Sequence, residues 1–115
     1  MQTLLVTDMD GSLLDHQSYS FAAALPVLLA LHERDIPVVL ASSKTRAEMA
    51  FWQRKLGLSD PYICENGAVI CTPASDAAVV CTALAAGLDR VLDSLQQLRS
   101  EFDYQFTGFS DCDVK

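Results

Sequence analysis

The 115-residue sequence predicts an α/β protein with a parallel sheet. Three observations carry that reading. An apolar run at residues 3–7 ends in the alternating carboxylates Asp8 and Asp10, a second and β-branched run occupies 37–41, and the stretch between them suits a helix. Strand, helix and strand within about forty residues make a βαβ unit, whose strands are parallel and whose crossover is right-handed in nearly all sheets.

The remaining elements follow from local chemistry. Residues 15–20 are polar and turn-like, and Pro26 suits the first helical turn, where its missing N–H would be unpaired anyway, so a helix is expected over 24–34. Thr45 and Glu48 stand at capping-box spacing and Gly57 is a natural stop, which predicts a helix over 46–56. Strands are expected at 62–64 and 68–71, joined by a two-residue hairpin turn at Asn66-Gly67. The polar stretch 72–78, with Pro73, Ser75 and Asp76, is expected to divide a first unit, 1–76, from a second, 77–115. In the second unit Leu88, Val91, Leu92, Leu95, Leu98 and Phe102 recur at the helical interval, which predicts a core-packing helix over 87–101, followed by a strand over 104–109.

Composition narrows the class. With 50% apolar and 20% charged residues the chain can build a core instead of staying disordered. Fifteen acidic residues against eight basic ones give a net charge of −7, which argues against nucleic acid and anionic membrane as partners. An anionic substrate would need a metal or a few well-placed cations. The N-terminus lacks the basic region of a signal peptide, and the longest apolar run, 21–31, is broken by Pro26 and falls short of the roughly 20 residues that span a bilayer. A soluble, cytoplasmic protein is the expectation. Cys64, Cys71, Cys81 and Cys112 show no C-x-x-C spacing, and buried free thiols are expected in preference to disulfides or a zinc site.

Ligands in open parallel sheets gather outside the carboxyl ends of the strands. Asp8 with Asp10, Ser42 with Lys44, and Glu65 with Asn66 all fall at such ends. Alternation along the first strand sends Asp8 and Asp10 to one side and Met9 to the other. Two carboxylates aimed at one spot persist with a cation between them, with one protonated, or with water nearby. An EF-hand fails on spacing: glycine is the fourth residue from Asp8 and the twelfth is Tyr19. Phosphoryl transfer fits better, one carboxylate attacking phosphorus and holding Mg²⁺ while the other moves protons to the leaving group and from water. Gly11 would let the backbone turn sharply toward phosphate, Ser42 could bind a phosphate oxygen, and Lys44 and Arg46 would add local positive charge. A strand-end turn with solvated aspartates is the plainer alternative.

Here the residues reach a resemblance. Asp8-Met9-Asp10-Gly11-Ser12-Leu13-Leu14 resembles the first motif of the haloacid dehalogenase superfamily, and Val38-Val39-Leu40-Ala41-Ser42 resembles the second. The pairs Asp15-His16 and Tyr19-Ser20, the segment from Ser42 through Met49, and Glu65-Asn66-Gly67-Ala68 are similar to mannosyl-3-phosphoglycerate phosphatases, the branch with a type IIB αβ cap. That resemblance implies a Rossmann-like core, here its N-terminal half, followed by the beginning of the cap. It implies Asp8 as nucleophile, Asp10 as general acid and base, and Mg²⁺ on Asp8 and the backbone carbonyl of Asp10. Gly11, Ser12, Ser42, Ser43, Lys44, Arg46 and Asn66 become phosphate or substrate residues; Lys44, Arg46, Glu65 and Asn66 would lie near the substrate or support the motif loops, and His16 is either a substrate-side residue or a solvated one. The substrate is expected to be a small phosphate ester. The family's third-motif lysine and fourth-motif acidic pair have no counterpart before Lys115, so this chain alone is expected to be inactive or nearly so. Another type IIB sugar phosphatase is one alternative, and a non-catalytic module that self-associates through its unfinished sheet edge is the other.

Overall fold

The computed structural model describes residues 3–74, 78–84 and 87–107. The chain forms two compact units, 1–85 and 86–115, each considered by itself. The first is a five-stranded sheet of β1 (Leu5–Thr7), β2 (Val38–Ala41), β3 (Tyr62–Cys64), β4 (Val69–Pro73) and β5 (Val79–Ala83), ordered β1-β2-β3-β4-β5. The first three strands are parallel, Leu5 facing Val38 and Leu40 facing Tyr62, whereas β4 and β5 run antiparallel to their neighbours. The parallel βαβ start is thus as the sequence predicts.

Helix α1 (Leu25–His32) carries Pro26 in its first turn and buries Leu28. Helix α2 (Arg46–Leu56) has the expected bounds: Thr45 caps it, the Glu48 N–H and Thr45 Oγ1 and the Thr45 N–H and Glu48 carboxylate bonding reciprocally, and Gly57 ends it at φ +68°. The Thr45 N–H and hydroxyl both donate to the Glu48 carboxylate and hold its pKa below the usual value. Met49, Trp52 and Leu56 of α2 pack with Met9, Leu40 and Tyr62 in the core. Asp60 lies after α2 and accepts the Val38 N–H at 2.8 Å, fixing the start of β2.

Several expectations need correction. The β3–β4 turn has four residues, not two: Cys64 faces Val69, and a 3₁₀ turn, Glu65–Gly67, lies between with Glu65, Asn66 and Gly67 all at positive φ. The sheet continues past the polar stretch 72–78 into β5, a strand the sequence reading did not foresee. Cys71 and Cys81 are bonded as a disulfide instead of standing free, because the antiparallel register sets them directly opposite, with Cα atoms 4.1 Å apart. Cys64 is a buried free thiol as expected, and burial pushes its pKa up; Cys112 lies outside the described residues.

In the second unit α3 (Leu88–Phe102) realises the predicted helix. Residues 103–107 leave it in irregular backbone instead of the expected strand, whose remainder, 108–109, lies outside the described residues. Arg99 stacks on the Phe106 ring at 4.0 Å and donates to the Phe106 carbonyl, so the chain folds back on the helix. Leu92 and Leu95 are half-buried, while Val91, Leu98 and Phe102 are exposed. Among the described residues no helix is long and apolar enough to cross a membrane.

Candidate active site

The β1 exit shows the alternation expected of it: Met9 is fully buried, Asp8 is exposed and Asp10 is half-buried. Thr7 Oγ1 donates to the Asp8 carbonyl at 2.8 Å. The chain then reverses at Gly11, φ +74°, a conformation that glycine adopts without strain. Leu13 and Leu14 donate to the Met9 carbonyl at 3.0 and 2.8 Å, and the Gly11 N–H donates to Leu14 at 2.9 Å. The amides of this turn are therefore occupied within it. What it presents outward is the Ser12 hydroxyl and the carboxylates on either side of Met9.

The neighbouring strand supplies the counter-charge. Ser42, at the end of β2, is buried, and its Oγ accepts the Lys44 N–H at 3.2 Å. Lys44 Nζ reaches across to Asp10 and donates to both carboxylate oxygens, at 2.9 and 2.6 Å. This charge-assisted, two-point contact raises the Lys44 pKa above its usual 10.5, so the amine is charged at neutral pH. Lys44, expected near the phosphate, thus also contacts Asp10. On its other side Lys44 Nζ lies 5.6 Å from the centre of the Tyr19 ring. Tyr19 sits at φ +54° in a loop organised by Asp15, whose Oδ1 accepts from the Gln17 and Ser18 amides and the Ser18 hydroxyl. Those three donors hold the Asp15 carboxyl below its usual range. Asp15 and Tyr19 carry no site role in the sequence analysis, although the pairs Asp15-His16 and Tyr19-Ser20 belong to the resemblance.

The third loop locks onto the second. The Glu65 N–H donates to the Lys44 carbonyl at 3.0 Å, the Asn66 N–H to the Ser42 carbonyl at 3.3 Å, and the Arg46 N–H to Glu65 Oε1 at 3.2 Å. Glu65 is thus a support for the 42–46 loop, while Ser43, Arg46 and Asn66 remain exposed along it. A hollow of about 440 Å³ lies beside the Gly11 turn, lined by Ser12, Asp15, His16 and Ser20 among others. His16 Nδ1 lies 3.8 Å from where a side chain on Gly11 would begin. His16 therefore borders the turn. Among the described residues no three His, Cys, Asp or Glu side chains converge as a metal-binding group.

Fold and site together define an α/β protein with an acidic centre at the carboxyl ends of parallel strands and a lysine and a serine beside it. The chain belongs to the haloacid dehalogenase-like hydrolases, whose family model matches residues 5–113. It is 32% identical to a glucosyl-3-phosphoglycerate/mannosyl-3-phosphoglycerate phosphatase of Methanococcoides burtonii, in a match covering all of this chain and 46% of that protein. It is 43% identical to a protein of the same description from Persephonella marina over 61% of this chain and 26% of that one. The chain thus spans less than half the length of these relatives. Among solved structures, a haloacid dehalogenase-like hydrolase from Bacteroides thetaiotaomicron superposes with a TM-score of 0.68 at 19% identity, covering 87% of this chain and 38% of that one. One from B. subtilis does so with 0.62 at 27%, covering 87% and 34%.

Proposed function

We propose that this chain carries the nucleophilic half of a Mg²⁺-dependent phosphatase whose whole form hydrolyses a phosphorylated sugar acid, mannosyl-3-phosphoglycerate foremost. The observation that carries the reading is the exposed Asp8 beside a lysine-gripped Asp10 at the end of β1. The description of the two relatives supports the substrate class.

In this reading the Asp8 carboxylate attacks phosphorus and forms an acyl phosphate. Asp10 acts as general acid toward the departing ester oxygen, then takes a proton from the water that cleaves the acyl phosphate. A substrate phosphate entering beside Ser42 would offer Lys44 a second anion alongside Asp10. Ser42 accepts the Lys44 amide and keeps its own proton for a phosphate oxygen. In this reading Ser12, Ser43, Arg46 and Asn66 would contact the phosphate or the rest of the substrate.

Mg²⁺ fits this donor set in part. Asp8 offers a hard carboxylate oxygen, and because Lys44 occupies the Asp10 carboxylate, Asp10 would contribute its backbone carbonyl. When bound, the ion offsets the negative charge that gathers on the transferred phosphoryl group. A third acidic ligand would come from outside the described residues. On the same reading residues 1–76 belong to the catalytic core, 77–115 open a cap that selects the substrate, and the protein acts in the cytoplasm.

The test is phosphate release from a panel of phosphate esters by a protein that joins this chain to the remaining length of its relatives. Turnover is expected with Mg²⁺, highest for mannosyl-3-phosphoglycerate and abolished by Asp8→Asn. Preference for another sugar phosphate would replace the substrate but keep the chemistry, and no turnover of any ester would overturn both.

A further inference from the structure

β5 is held to the sheet in an unusual way. Val79, Val80, Thr82 and Ala83 are all exposed, Val80 to 62%, so the strand contributes almost no apolar burial. Its one core-directed side chain is Cys81, which packs against the core cluster and is bonded to the fully buried Cys71 of β4. An edge strand with one buried side chain is held by its ladder hydrogen bonds and that single contact, with little hydrophobic stabilisation. The strand nevertheless connects to the candidate site. The Leu84 N–H, just beyond β5, donates to the Ala68 carbonyl at 2.7 Å, and Ala68 follows the Glu65–Gly67 turn that is bonded to the Ser42 and Lys44 loop.

We propose that the Cys71–Cys81 bond is a redox clamp that decides whether β5 stays docked on β4. Cys81 is the more exposed sulfur and is the point of attack. One thiolate of a dithiol reductant adds to Cys81 Sγ and the Cys71 sulfur leaves, taking up a proton. The second thiol of the reductant then displaces Cys81, so two electrons and two protons pass to the pair and the reductant becomes a disulfide. The Cys64 thiol, buried and held protonated by its apolar surroundings, does not compete as a nucleophile. Losing the cross-link restores chain entropy to a loop closed across ten residues of sequence. In a reducing cytoplasm the clamp would be open, and exchange with a small-molecule disulfide, which takes the two electrons and leaves as two thiols, would close it.

Hydrogen exchange of this chain, air-oxidised or treated with dithiothreitol, tests the clamp, with mass spectrometry of alkylated peptides reporting the thiols. In the oxidised protein Cys71 and Cys81 should resist alkylation and Cys64 should accept it after denaturation. Reduction should speed amide exchange in Val79–Ala83 on the order of 10- to 100-fold while α2 and β2 stay protected. Cys81→Ser should show the fast exchange with or without reductant, and Cys64→Ser should behave as wild type. Alkylation of Cys71 and Cys81 without reductant, or equal β5 exchange in both states, would overturn the proposal. Should Cys81→Ser not fold, the wild-type comparison alone decides.

Discussion

Lys44 and Asp10 meet because β1 and β2 are parallel neighbours in register, Thr7 beside Leu40, so the residues just beyond their ends converge. The pair is mostly sheltered, with Lys44 14% and Asp10 34% exposed, and Lys44→Met should cost about 1 kcal/mol in urea unfolding at neutral pH. The contact raises the Lys44 pKa, so its stabilisation is complete below 10.5 and fades as pH rises through the higher folded value. The gap between wild type and Lys44→Met should therefore close in alkali above pH 10.5, and a constant gap would argue against the pair. At this scale the sequence revealed which residues gather but not their pairing. Positive charge beside a D-x-D pointed to a phosphate ligand, while the Lys44–Asp10 contact depends on the distance between strand ends. The approach of Tyr19 to Lys44 was hidden for a similar reason, since loop conformation, not residue type, sets it.

Among the elements, α2 was legible in full because its start and stop are written in adjacent residues. Thr45→Ala removes the reciprocal cap and should lower stability by about 1 kcal/mol, read as a shift in thermal midpoint. Gly57→Ala meets open space but must adopt φ +68°, which should also cost about 1 kcal/mol. A Gly57→Ala protein as stable as wild type would place the helix end elsewhere. The strands after the helix were harder to read. Asn66-Gly67 did mark a turn, but the positive φ of Glu65 lengthened it, and no local signal gives that. β5 and the Cys71–Cys81 bond depend on pairing across a polar connection. That pairing fixes which cysteines face each other, and cysteine spacing alone does not.

For the molecule as a whole, the parallel core was readable from the βαβ pattern, while the state of its edges was not. Among the described residues β1 pairs on one side only, and Leu5 and Val6, which point to opposite faces, are 37% and 53% exposed. An uncovered apolar edge strand invites pairing. This chain should accordingly show concentration-dependent association in light scattering, reduced by Val6→Lys and unchanged by Asp8→Ala; a monomer at all concentrations would show that the edge is adequately protected. The proposed function makes Asp8 the phosphoryl acceptor. Rapid quenching of the protein that joins this chain to the remaining length of its relatives, during turnover of mannosyl-3-phosphoglycerate, with the covalent phosphate mapped by mass spectrometry, should find one phosphoryl group on Asp8, absent in Asp8→Asn and longer-lived in Asp10→Asn; turnover with phosphate on another residue, or with no covalent phosphate in either protein, would rule that role out.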